Sequence, residues 1–323
     1  MSKFKKEYEI LKNHYSLLDI KKISQFTSAN INSDTFLIQT NKNKFILKFV
    51  PNKNPQLNKM CEIVSFCKQQ NVPVQEPIKN ISDKFVVKNY YFLTKYYSGN
   101  YFDGTNSELS DFAKNLALLH NALSKIRINY NFESFREYYK ILKNTELLKI
   151  KNIIDEKGKK ITTYDKMFLD HFVSLQNSFS NITVSGEYIE SKKQLIHFDL
   201  HPENVIFKNF HVNAIIDFGS MRKGHLIDDV AFSSFRFAYY KTKNLNKIIN
   251  QMKYFYNAYT KFNQLPDLLP VLPQITKLQI LKRLSLILRN YYFTNTSFWI
   301  SDMEKQLKFL SIIEKIINKW NKI

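Results

Sequence analysis

Between residues 197 and 219 the chain carries its densest set of groups able to do chemistry: His197, Asp199, His201, Glu203, Asn204 and Asp217, the last followed by Phe218 and Gly219. Asp199 and Asn204 bracket a short loop that leads into a strand-like run, Asn204 to Phe207, and Asp217 ends a second run, Val212 to Asp217. Joined by Lys208 to His211, the two runs read as a tight β-hairpin, which folds Asp199, Asn204 and Asp217 toward one end. An amide oxygen and two carboxylates gathered there supply hard oxygen ligands for Mg²⁺ and leave one carboxylate to accept a proton. Phosphoryl transfer needs that combination, because a metal neutralises phosphate charge while a carboxylate orients the attacking hydroxyl. Alone, Asp217 reads as a cap on a strand end or turn. The upstream H-x-D-x-x-x-x-N spacing is what gives it meaning.

The elements that must position this cluster follow from periodicity. Phe4, Tyr8, Leu11 and Tyr15 recur at helical spacing within residues 1–18, and three β-type runs follow, Ile20 to Phe26, Asp34 to Gln39 and Lys44 to Val50. A helix is predicted from about Pro55 to Gln70, burying Leu57, Met60, Cys61, Val64 and Cys67. Strands at Lys84 to Lys88 and Tyr90 to Tyr96 end at Ser98, Gly99 and Asn100, which mark a domain boundary. A helix then opens at Thr105, with Glu108 spaced for a capping box. Two helices broken at Asp155 to Lys160 are expected within residues 130–182. After Gly224 nearly everything reads as helical, with a loop at Pro266, Pro270 and Pro273 and a second capping box at Ser301 and Glu304. The fold class is α+β: a small, sheet-rich domain over residues 1–97 and a large, mostly helical one over 98–323.

Composition sets limits on partners. The chain has 323 residues, 44% of them hydrophobic, enough for two packed domains and too apolar for intrinsic disorder. Its net charge of +20 comes from 42 lysines and six arginines against 28 acids, scattered over the whole length. Phosphate and base readers favour clustered arginine, so the excess reads as solvated surface rather than a dedicated nucleic-acid or membrane face. Cys61 and Cys67 lie about 9 Å apart along one helix, too far for a disulfide, and are expected to be reduced core thiols. The N-terminal residues lack the apolar core of a secretory signal, and no run approaches about 18 uninterrupted apolar residues, so a soluble cytoplasmic protein is expected. His120 and the aromatics Phe235, Phe237, Tyr239, Tyr240, Tyr291, Tyr292 and Trp299 are expected to serve core packing.

The stretch LIHFDLHPENVIF, followed by AIIDFG, resembles the signature of the aminoglycoside phosphotransferase and choline kinase family. That resemblance implies a bilobal protein-kinase-like fold, with one αC-type helix in the nucleotide-binding N-lobe and a catalytic hairpin in the acceptor-binding C-lobe. By it, Lys48 in FILKF holds the nucleotide phosphates and Glu62 is its ion-pair partner. YFLTKYYSG resembles the hinge strand, with Thr94 and Tyr96 at the adenine, and Ser33 lies in the phosphate-facing loop. Asp199 becomes the catalytic base, Asn204 and Asp217 the Mg²⁺ ligands, and His197 and Asp229 supports of the loop. Three departures stand out. No glycine occurs from Thr27 to Thr35, although Ser28, Asn32, Ser33 and Thr35 can donate hydrogen bonds; Phe198 replaces the usual glycine before Asp199; and Glu203 replaces a common glycine before Asn204.

The expectation is an ATP- and Mg-dependent phosphotransferase acting directly, without a phosphoenzyme, on a hydroxyl of a small metabolite or antibiotic. A serine/threonine protein kinase of the same fold and a non-catalytic nucleotide-binding module are the alternatives. Polycationic acceptors need an acidic cleft, for which Glu187, Glu190, Glu203 and Asp228 are the candidates. The basic balance of the chain suits a neutral or anionic acceptor better.

Overall fold

The computed structural model describes residues 2–26, 34–50, 56–127, 140–297 and 299–322. Contacts divide the chain into two units: Met1–Tyr130 with Asp199–Met221, and Asn131–Phe198 with Arg222–Ile323. Helix dominates the second, and an antiparallel sheet the first.

In the first unit, the amphipathic helix α1 (Lys5–Tyr15) buries Ile10, Leu11 and Tyr15. Three strands follow, β1 (Ile20–Phe26), β2 (Asp34–Thr40) and β3 (Lys44–Phe49), then α2 (Leu57–Gln69), β4 (Pro77–Ile78), β5 (Val86–Val87) and β6 (Tyr91–Lys95). The sheet runs β1-β2-β3-β6-β4, with β5 also on β6. Period-two alternation turns Phe36 and Ile38 of β2 inward, where they meet Leu11, Leu47 and Leu93. Cys61 and Cys67 on α2 are buried free thiols, and burial pushes each up to about 12.

Helix α3 (Asn106–Leu123) starts at Thr105, whose Oγ1 accepts from Glu108 N at 3.2 Å. The second half of the expected capping box is absent: the Glu108 carboxylate reaches back to Asp103 N at 2.8 Å, tying down the approach to the helix. His120 is fully buried on α3. The hairpin strands are β8 (Val205–Lys208) and β9 (His211–Ile215), joined through Asn209 and Phe210 at φ 52° and 64°. Two successive left-handed residues make the turn type that suits the twist of adjacent strands.

Three attachments fix this hairpin within its unit. Asp111 of α3 accepts from Val212 N at 2.7 Å. Ile215 N donates to Pro73 O at 2.7 Å and its carbonyl accepts from Gln75 N at 2.9 Å. Asn100 and Phe207 exchange backbone bonds at 2.9 and 2.8 Å, and there Gly99 approaches so closely that a Cβ would stand 2.1 Å from the Phe207 carbonyl oxygen.

The second unit departs from expectation in three places. Where two helices were expected within residues 130–182, three occur among the described residues, α4 (Asn144–Glu156), α5 (Thr163–Asp170) and α6 (Phe172–Ser180), and a short α7 (Gly186–Glu190) follows. Thr162 and Asp165 close a reciprocal capping box that starts α5 anew. A two-stranded ribbon that the sequence pattern did not suggest, β7 (Lys193–Ile196) with β10 (Arg222–His225), runs up to the start of the helical stretch expected after Gly224. Helices α8 (Leu226–Tyr240), α9 (Leu245–Thr260), α10 (Leu272–Phe293) and α11 (Met303–Ile317) complete the chain. The Ser301 capping box does not form, because a 3-10 turn, Ile300–Asp302, runs straight into α11 and leaves Asp302 with near-helical backbone angles.

The aromatics serve packing. Phe235 stacks on Tyr239 at 5.7 Å, and the Tyr292 hydroxyl donates to Asp165 at 3.0 Å; Tyr240 is the more exposed member. No helix of the described residues is long and apolar enough to cross a membrane.

Candidate active site

Lys48 sits on β3, opposite Thr35 of β2 and Phe92 of β6. Its ammonium lies 3.2 Å from Oδ1 of Asp217, 169 positions later in the chain and just past β9. Asp217 adopts φ 64°, ψ 61°, a left-handed turn that aspartate tolerates better than most side chains. The two side chains are 17% and 43% exposed. An ion pair this accessible contributes about 1 kcal/mol or less to folding, so the convergence is poorly explained by stability.

Asn204 is buried and fixed on several sides. Its Nδ2 donates to the Asp199 carbonyl at 2.8 Å, its N–H to His201 O at 2.8 Å, and its carbonyl accepts from Ile216 N at 3.0 Å. The loop Asp199–Asn204 is thereby laced to the residue preceding Asp217. The Asp199 side chain remains 39% exposed, with His201 Nε2 at 3.9 Å. His201 Nδ1 pairs with Glu203 at 2.7 Å, so Glu203, in place of a small residue, braces the loop.

The other expected residues stand around this cluster in varied ways. Glu62 is on α2, where its Oε1 accepts from Asn58 at 2.6 Å. Thr94 is buried on β6, paired with Ile46 of β3 on one edge and Pro77 of β4 on the other, and its hydroxyl is directed to Ile46 O at 3.4 Å. Tyr96 follows on the exposed side, its N–H bonded to Lys44 O at 3.2 Å. Ser33, with Ser28 and Asn32, lies outside the described residues.

In the second unit, Asp229 near the start of α8 accepts from His197 N at 2.8 Å and Phe198 N at 2.7 Å. Phe198 has φ 75°, an arrangement that costs a bulky residue on the order of 1–3 kcal/mol unless its surroundings enforce it. Sequence reasoning missed Asp111, whose hold on β9 leaves no local pattern, and it missed Arg222 and Arg283. Both guanidinium groups lie against the Phe198 ring, at 4.1 and 4.4 Å from its centroid. The one available signal was rarity, since these are two of only six arginines beside 42 lysines.

Comparison with known proteins bears on the fold and the family. No curated protein matches the chain. Among solved structures, it is similar to spectinomycin phosphotransferase in complex with ADP and spectinomycin, at TM-score 0.68 and 13% identity over 98% of both chains. It is similar to amicoumacin kinase in complex with AMP-PNP, Ca²⁺ and Ami, at TM-score 0.63 and 15% identity over 97% of this chain and 93% of that one. A third likeness is to Plasmodium vivax ethanolamine kinase, at TM-score 0.60 and 14% identity over 96% and 88%. At such identities the likeness is one of fold. The family assignment rests on residues 22–246, which take in β3, α2 and the whole hairpin and match the phosphotransferase enzyme family. The chain is therefore a member of the phosphotransferase enzyme family.

Proposed function

We propose that the chain transfers the γ-phosphoryl group of ATP, with Mg²⁺, to a hydroxyl of a small molecule. The observation that carries this reading is the meeting of Lys48 with Asp217, beside an Asn204 locked to the Asp199 backbone. A lysine on a sheet and a carboxylate after a hairpin converge where a polyphosphate and its counter-ion can share them.

The donor set suits a nucleotide-bound Mg²⁺. Among the described residues no group of three or more His, Cys, Asp and Glu could hold a metal by itself. One carboxylate and one amide oxygen are what Mg²⁺ uses when phosphate oxygens complete its shell. Asp217 and Asn204 would hold it; when bound, it neutralises phosphate charge. Lys48 neutralises charge on the nucleotide side, and the β6 backbone near Thr94 and Tyr96 binds the base. Asp199 accepts the hydroxyl proton as the acceptor oxygen attacks phosphorus and the ADP oxygen departs.

The three similar structures carry names of phosphotransferases or kinases of spectinomycin, amicoumacin and ethanolamine, so the fold accommodates chemically different acceptors. The net charge of +20 favours a neutral or anionic acceptor here. A screen of hydroxyl-bearing metabolites and antibiotics by coupled ADP release, with and without Mg²⁺, tests the reading. Acceptor-dependent, Mg-dependent ADP formation is expected; ADP release that no acceptor stimulates, or none at all, overturns it.

A further inference from the structure

Phe198 is buried with Ile196 against the partly buried Leu286 and holds left-handed backbone in the position bonded directly to Asp199. Glycine is the ordinary occupant of such a conformation because it has no Cβ to clash. Here the conformation is held from outside. Asp229 takes the N–H of Phe198 and of His197, while Arg283 Nη2 donates to the Phe198 carbonyl at 2.8 Å. Both sides of the residue's main chain are thus bound to charged side chains, the stronger class of hydrogen bond. The Arg222 and Arg283 guanidinium groups lie against the ring, and Arg283 also stands 3.7 Å from the Phe232 ring and donates to Gln279 O at 3.3 Å. A planar fork can stack and donate at once, which an ammonium cannot. A chain that meets nearly all its need for positive charge with lysine places two of its six arginines at this one ring.

We propose that Arg283, assisted by Arg222, is a positioning residue for phosphoryl transfer: it pins Phe198 in the left-handed conformation and so sets where the next residue, Asp199, presents its carboxylate. This rests on the reading of Asp199 as catalytic base. Small displacements of a reacting group are costly, and a misplacement of about 1 Å can remove about 10²-fold in rate.

The test is a set of variants assayed for kcat and KM with the acceptor found by ADP release. Arg283→Lys, which keeps the charge, and Arg283→Met are both expected to lower kcat by about 10- to 100-fold while the KM for ATP moves less than about threefold. Adding Phe198→Gly to Arg283→Met supplies a residue that needs no clamp; it is expected to raise kcat at least about fivefold over Arg283→Met, although the thermal midpoint falls further. Arg283 acting only as core packing predicts the opposite, since a second cavity adds to the damage. A kcat within about twofold of wild type in both single variants, or a gain below about fivefold from the added glycine, overturns the proposal. Amide hydrogen exchange supplies a readout independent of turnover: exchange at His197 and Phe198 is expected to quicken about tenfold or more in Arg283→Lys, with α11 unchanged. Wild-type chain that turns over no acceptor defeats the reading of function and leaves the clamp to be decided by exchange, where equal rates overturn it.

Discussion

Two polar clusters in this chain follow opposite physical rules. Around Lys48, Asp199 and Asp217, in the first unit, the charges are accessible and the ion pair is loose at 3.2 Å. In the second unit, Tyr188, Asp228, Gln279 and Lys282 form a sealed network: Asp228 Oδ1 accepts from the Tyr188 hydroxyl at 2.9 Å and from Gln279 Nε2 at 2.6 Å, with Lys282 at 3.4 Å from that hydroxyl. All four are buried. Burial pushes Asp228 up to about 6 against the pull of Lys282 and the tyrosine, and draws Lys282 down to about 8 against the pull of Asp228. The first set reaches water and lies open to a ligand at little cost to folding. The second set has lost its water, so its ionisation is felt mainly by the fold.

The contrast can be broken most decisively at Asp199. Asp199→Ala is expected to lower kcat about 10³-fold or more, since both proton acceptance and hydroxyl orientation go together, while calorimetric nucleotide affinity stays within about threefold. Turnover persisting near wild type would remove the catalytic meaning of the open cluster. Next, Lys48→Met is expected to raise the KM for ATP by about 10- to 100-fold and to change unfolding free energy by no more than about 1 kcal/mol. A large loss of stability instead would make the pair structural.

Asp228→Asn sharpens the contrast from the sealed side. The unfolded carboxyl titrates near its ordinary 3.8 and the folded one near 6, so the native state holds the proton more tightly. That contribution is whole below the unfolded value and is lost as pH climbs through 6, at about 1.4 kcal/mol for each unit of separation. Asn does not titrate. Thermal unfolding of the variant and wild type at pH 4 and pH 7 is therefore expected to show the variant gaining on wild type by about 2–3 kcal/mol as pH rises; a difference that stays flat would mean that Asp228 is solvated. The smallest effect belongs to neither cluster. Thr105→Ala removes the N-cap of α3 and is expected to cost about 1 kcal/mol with kcat unchanged.

What could be read from the residues alone was whatever one segment decides for itself. The alternation of β2, the apolar stripe of α2 and the Thr105 cap are local, and each element stands where its pattern put it. Strand β4 has two residues and exists only through its pairing with Thr94 and Leu93 of β6. Strand β10 likewise exists through β7, so Arg222–His225 carried no strand signal of its own. The same division runs through the site. Asp199, Asn204 and Asp217 share one compact motif, whereas the meeting of Lys48 with Asp217 spans 169 positions and could be expected only from resemblance to a family. The clamp on Phe198 left a fainter trace, a bulky residue where backbone must turn left-handed and a scarcity of arginine.

The division of the chain also dictates an order of assembly. The first unit is written in two instalments, Met1–Tyr130 and Asp199–Met221. At ribosomal speeds of about 5–20 residues per second, the roughly seventy intervening residues delay the hairpin by about 3–14 s. Throughout that interval the backbone groups of Pro73, Gln75 and Asn100, which later bind Ile215 and Phe207, have only water for partners. A nascent chain halted at residue 130 should therefore hold a protease-sensitive sheet, and one extended past 221 a resistant one.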